Sequence, residues 1–190
     1  MTYFTAVRRT AAITVFGALA ASPRVGNTQQ HRHEEGAVPK THLTIPASIK
    51  AEHEEIHAEL VAATKASGRV GEAARALAAV LHPHFVREEQ IALPPLGLLA
   101  SLARGEKSPE MRAVLPMTDS LRAELPRMLE EHVAIHAATT RLGEVARAEN
   151  NAAVAHLAEK LGLHARSEEE VFYPAAILVG DLVRGRLGKD

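Results

Sequence analysis

Cysteine and tryptophan are absent from this chain of 190 residues, and aromatic residues make up only 3% of it. The first absence removes disulfides, thiolate nucleophiles, zinc sites built on Cys and cysteine-held iron-sulfur clusters together. The scarcity of rings leaves few platforms for stacking bases, and 22 Lys and Arg against 23 Asp and Glu provide no basic excess for a phosphate backbone. A nucleic-acid partner is therefore not expected. An uncharged run from Ala11 to Ala21 is too short to span a bilayer, so no membrane partner is expected either. What the chain has in excess is histidine, 11 residues, within a composition that is 46% apolar and must pack Ala, Leu and Val in one compact domain.

Residues 1–21 have the layout of an export signal. A basic pair, Arg8 and Arg9, precedes the uncharged run, and Ala18 and Ala20 are spaced for a signal peptidase, so a periplasmic location is expected. The Arg pair is also compatible with twin-arginine export, and without a signal the protein would be cytoplasmic. Residues 22–46 mix Gly, Asn, Gln and Pro around an HRHEE cluster with no sustained period, which reads as a linker carrying His31 and His33.

From residue 47 to 188 the apolar period is helical. Ile49, His53, Ile56, Leu60 and Ala63 form one stripe. Leu77, Val80, His84, Glu88 and Ile91 form a second, Leu125, Met128, His132, Ile135, Thr139 and Leu142 a third, and Leu157, Leu161, His164, Glu168 and Val171 a fourth. Breaks are expected at Gly68 and Gly71, at Pro94, Pro95 and Gly97, between Gly105 and Pro116, at Asn150 and Asn151, and at Pro174. Four helices of about twenty residues, each roughly 30 Å long, imply an all-α, antiparallel four-helix bundle. Pro83 and Pro126 fall inside two of these patterns and are expected to kink a helix or shift its boundary.

The four helices repeat. His53 and His57 recur 79 residues later as His132 and His136, while His84, Glu88 and Pro94 recur 80 residues later as His164, Glu168 and Pro174. AEHEEIHAEL aligns with EEHVAIHAAT, and HFVREEQIALPP with HARSEEEVFYPA. Two helical hairpins related by an approximate twofold axis would bring the four polar patches to one level of the core.

Residues four apart on a helix share a face, one turn apart, so HxxxH and HxxxE each offer two side chains to one centre. Chance gives about 1.8 His followed by His or Glu at the fourth place. The chain has five, one in the linker and one on each helix. Those four continue apolar stripes, where an unpaired carboxylate would cost several kcal/mol, roughly, to bury, and a cation ligated by neutral imidazole and carboxylate removes that cost. The candidate ligands are His53, His57, His84, Glu88, His132, His136, His164 and Glu168. Eight converging groups exceed the four that zinc takes, and an imidazole-rich set with one Glu per hairpin suits two non-heme iron ions bridged by Glu88 and Glu168. His82 and His156 read as surface residues, and Tyr173 as a packed aromatic at a helix end.

Across about residues 47–188 these motifs resemble the hemerythrin-like proteins of the HHE cation-binding class. HFVREE before LPP and HARSEEEVFYP are both similar to that family's HxxxEE followed by an apolar pair and Pro. The resemblance implies a four-helix bundle around a non-heme di-iron centre that binds, stores or senses oxygen, or that reacts with nitric oxide or peroxide. A bundle in which metal only staples the core is the remaining alternative, and an enzyme is the less favoured reading. By position, His53 and His132 match the family's single His on the first and third helices, His84, Glu88, His164 and Glu168 its paired motifs, and His136 the second His of the oxygen carriers' third helix. The last motif has HxxxE where those carriers have a longer spacing to Asp, and His57 is additional. The Cys-bearing N-terminal segment of the iron-sulfur repair members is absent. His136 is expected to ligate, and His57 to stand beside an open position as a hydrogen-bond donor or proton shuttle.

Overall fold

The computed structural model describes residues 43–188, so the expected signal, His31 and His33 lie outside the described residues. Within them the chain is helix and turn, with no strand. The long helices are α1 (Ala47–Thr64), α2 (Gly68–Arg87), α4 (Leu115–Ala148) and α5 (Ala152–Ser167). A short α3 (Leu99–Ala103) lies in the crossover, and α6 (Tyr173–Leu187) follows α5. No helix among the described residues is long and apolar enough to cross a membrane.

Helices α1, α2, α4 and α5 close a ring in which α1 packs on α2 and α5, and α4 on the same two. This is the four-helix bundle that the apolar stripes require. At one end Ile56, Leu60, Leu77, Leu81, Leu142 and Leu157 fill the core, and at the other Leu93, Leu96, Leu121, Met128 and Ala176. Helices α1 and α4 cross from one apolar cluster to the other, α2 and α5 do so only with the segments that follow them, and the polar layer between the clusters is where the inner histidines fall.

The turns follow local chemistry. Gly68 (φ 70°) and Asn150 (φ 57°) take the left-handed conformations that reverse the chain before α2 and α5. The Asn151 side chain then accepts from the Val154 N–H at 3.2 Å and caps α5. Gly71 is no break: it lies within α2, buried. Both α2 and α4 run on through Pro83 and Pro126.

The expected break at Pro174 does not occur either. One π turn (Glu168–Phe172) joins α5 to α6, and Pro174 follows it in the first turn of α6, so the wider turn carries the helix past the proline. Its repeat partner, Pro94, instead opens a 3₁₀ turn (Pro94–Leu98) after a matching π turn (Glu88–Ala92), and the chain leaves the bundle axis. Leu43 and Ile45, at the end of the expected linker, pack against the core.

Gly180 on α6 faces Thr118 on α4 so closely that a Cβ there would overlap the Thr118 side chain, whereas Gly185 has open space around it. Gly180→Val is expected to cost about 1–3 kcal/mol by overpacking, and Gly185→Ala to add about 0.5–1 kcal/mol through helix propensity. Thermal melts of the two variants in opposite directions would bear this out; a neutral Gly180→Val would show that α6 can shift away from α4.

Candidate metal centre

On α2 and α5 the stripe runs Leu77, Leu81, His84, Glu88 and Leu157, Leu161, His164, Glu168. The Glu four places after each His therefore stays on the inward line, while Arg87 and Ser167 at the third place turn away. The polar layer receives one His from each of the four helices and one Glu from each hairpin. His53, His84, His132, His164, Glu88 and Glu168 are all at most 3% exposed.

These six side chains form two overlapping groups whose ligand atoms lie within 4.8 Å of one another: His84, Glu88, His132 and Glu168, and His53, His164 and Glu168. In the first, between α2 and α4, the Nε2 atoms of His84 and His132 are 2.8 Å apart, with Glu88 Oε1 3.3 Å from His84 and Glu168 Oε2 3.5 Å from His132. In the second, between α1 and α5, Glu168 Oε1 is 2.7 Å from His164 Nε2 and 3.4 Å from His53 Nε2. Glu168 thus turns one oxygen to each group. Glu88 also spans them, since its Oε2 stands 3.9 Å from His53 Nε2.

Four further carboxylates stand behind the imidazoles, and sequence reasoning missed them. His84 Nδ1 is 2.9 Å from Glu131 and His132 Nδ1 2.6 Å from Glu169; their repeat equivalents, His164 with Glu52 and His53 with Glu89, are 3.4 and 3.6 Å apart. At His84 and His132 the bonded carboxylate holds the proton on Nδ1 and leaves the Nε2 lone pair facing inward, the arrangement of metal-bound histidine, while Nδ1 of His53 and of His164 is not hydrogen-bonded and only faces its carboxylate. The signal was present: each of these Glu residues is the chain neighbour of an inner ligand, in Glu52-His53, Glu131-His132, Glu88-Glu89 and Glu168-Glu169.

Tyr173 belongs to the site, not only to the helix-end packing expected of it. It is 1% exposed, its hydroxyl donates to Glu88 Oε1, and its oxygen lies 3.1 Å from His132 Nε2 and 3.3 Å from His84 Nε2. On a regular helix, residue i+5 turns well away from residue i. The π turn at Glu168, closed by the Tyr173 N–H on the Glu168 carbonyl, brings it back over the layer. The repeat equivalent of Tyr173 is Leu93, and the α1/α5 group is instead covered by Phe85, stacked on His53 with ring centroids 4.3 Å apart. The two groups are alike in having two imidazoles and a share of Glu168, and differ in the fuller part Glu88 takes in the α2/α4 group and in their walls.

His57 and His136, expected among the ligands, are exposed and lie in neither group. On α1 and α4 the buried stripe continues through the third residue after each His, Ile56 and Ile135, then through Leu60 and Leu142. A fourth-place His is therefore carried past the edge of that stripe. His82 and His156 are exposed, as expected.

The model of the hemerythrin HHE cation-binding domain family matches residues 44–176. The chain belongs to that family. No curated protein and no solved structure matches it. The donor set of this hemerythrin-like bundle fits metal cations on its own terms: Glu88 Oε2 is buried without a hydrogen-bond partner, a cost that cation ligation would relieve. The bundle is a metal-binding one.

Charge in the metal-free layer is finely opposed. Burial acts to lower the His84 pKa, but Glu88 and Glu131 outweigh it and raise the group to about 9. Burial, then the charge of Glu168, pushes the Glu88 carboxyl up to about 7. Glu168 is held below the usual carboxylate range by His164 and His53 despite its burial. His164 is raised, since Glu168 overcomes burial, and His132 is lowered by burial.

Two outcomes are expected. Glu131→Gln or Glu169→Gln should weaken divalent-cation affinity about 10- to 100-fold while leaving the fold intact, as read by competition with a chelator; undiminished affinity in both would deny the outer carboxylates a part. The second concerns pH. Folded-state values of Glu88 and His84 lie above the ordinary 4.5 and 6.5, so their stabilising contribution is present at low pH and is lost as pH rises through about 7 and about 9. His164 acts in the same direction and His132 in the opposite one. A bound cation displaces those protons. The gap in thermal midpoint between metal-loaded and metal-free protein should therefore widen from pH 6 to pH 9; a narrowing gap would contradict the assignment.

Proposed function

We propose that this bundle holds two non-heme iron ions, bridged by Glu168 and Glu88, and that it handles oxygen or a related small molecule such as peroxide or nitric oxide. The observation that carries the reading is the sharing of Glu168 between two repeat-related groups, one oxygen to each. Paired irons supply redox chemistry and Lewis acidity when bound.

The chain's own contribution is clear from its geometry. His84 and His132 would hold one ion and His53 and His164 the other, each oriented by its outer Glu. With His57 and His136 turned outward, each ion would have two imidazoles and the shared carboxylates from this chain, fewer donors than a six-coordinate iron takes, and so would keep positions open. Open positions at both favour redox turnover of peroxide or nitric oxide over reversible oxygen storage, in which one ion is closed. Tyr173 holds its proton firmly, because burial and then the charges of Glu88 and Glu168 push its pKa up, so it stands as a hydrogen-bond donor beside the α2/α4 group alone. Phe85 covers part of the other, stacked on His53 and edge-on to His164.

Elemental analysis after iron-supplemented expression tests the first step. About two irons per chain are expected, Glu168→Ala should lose both together, and His136→Ala should keep both. One zinc and no iron would leave a bundle stapled by metal. Optical spectra with oxygen and with hydrogen peroxide separate the rest: steady peroxide consumption supports turnover, whereas a change with oxygen that reverses on its removal supports storage.

A further inference from the structure

Between α1 and α2 a cleft of about 230 Å³ leads from the surface to His53. Its walls carry two exposed imidazoles, His57 and His82, with ring centroids 6.0 Å apart, and two carboxylates, Glu54 and Glu89. A neighbouring cavity of about 240 Å³ shares His57 and His82, and neither contains a Lys or Arg. His53 is 2% exposed and lines this cleft, and its Nδ1 has no hydrogen-bond partner.

The twofold repeat provides an internal comparison. At equivalent positions around α4 and α5, His57 becomes His136, but His82 becomes Gly162, Glu54 becomes Val133 and Val86 becomes Arg166. The cavity there, about 430 Å³, is lined by Arg147 and Arg166. The α1/α2 side combines two imidazoles with two carboxylates and no Lys or Arg in its lining; Lys50, one turn before Glu54 on α1, reaches that carboxylate at 3.6 Å with both side chains exposed, and Glu89 has no such partner among the described residues. Borderline divalent cations prefer that donor set, and the negative field concentrates them there.

We propose that the α1/α2 cleft is a weak acceptor site for a divalent cation, which His57, His82, Glu54 and Glu89 capture from solvent and pass to the buried group at His53. Exposed side chains on two helices hold a cation loosely enough to release it, while the core ligands, fixed by their outer carboxylates, hold it tightly. The loading role rests on the paired-metal reading; the cleft as a cation site does not.

The test uses the full-length metal-free protein and Co²⁺, whose visible absorption reports ligation. Wild-type protein should reach a plateau of two Co²⁺ per chain. His57→Ala/His82→Ala should reach that plateau about tenfold more slowly, Glu54→Lys should be slowed as well, and His136→Ala should load at the wild-type rate. Once the core is filled, wild type should bind one further, weaker Co²⁺ that the double variant does not. Uptake within twofold of wild type in both cleft variants would overturn the loading role, and retention of the weaker cation by the double variant would overturn the site. A wild-type plateau below two overturns the paired-metal reading instead, while the weaker cation still reports on the cleft.

Discussion

Four imidazoles and two carboxylates withdrawn from water into one layer of a helical bundle demand compensation, because each unpaired charge in that layer costs far more than an apolar side chain of the same size gains. The rest of the structure is arranged around this demand. Apolar clusters at both ends isolate the layer, outer carboxylates bonded to Nδ1 of His84 and His132 fix which nitrogen faces inward, and Glu52 and Glu89 stand in the equivalent places at longer range. Counting Glu88 and Glu168 with Glu52, Glu89, Glu131 and Glu169, carboxylates outnumber the imidazoles they face, so the layer is matched to cations and not to its own neutrality.

Duplication explains how so regular a site arises. Each hairpin supplies one His from its first helix and an HxxxE pair from its second, and the twofold relation assembles each group from both hairpins. Neither hairpin holds a complete group alone. Around the layer the halves depart from the repeat in its walls: Tyr173 against Leu93 and Phe85 against Ala165 inside, His82 against Gly162 and Glu54 against Val133 outside. The four imidazoles are thus divided evenly between the groups, while Glu88, the Tyr173 hydroxyl and access from the surface differ between the halves.

Much of this was legible in the residues. His53, His84, Glu88, His132, His164 and Glu168 continue apolar stripes, and the 79- and 80-residue spacings relate them. The outward turn of His57 and His136 was also readable in principle, since Ile56 and Ile135 occupy the third place after each His where α2 and α5 have Arg87 and Ser167. Sharing a face at the fourth place is not the same as sharing the buried line. Spacing alone treats the motifs alike, and the residues between them separate HxxxH from HxxxE.

By itself the sequence determined the bundle, its duplicated plan and eight candidate ligands, six of which lie in the buried layer, because burial periodicity and side-chain chemistry are local properties that repeat along each helix. Tertiary structure alone decided that Glu168 faces both groups, that Tyr173 donates to the Glu88 of the other hairpin, and that the α1/α2 cleft reaches His53. These features depend on how helices distant in sequence are set against one another. The π turns at Glu88 and Glu168 add a change of register that a constant 3.6-residue period does not contain.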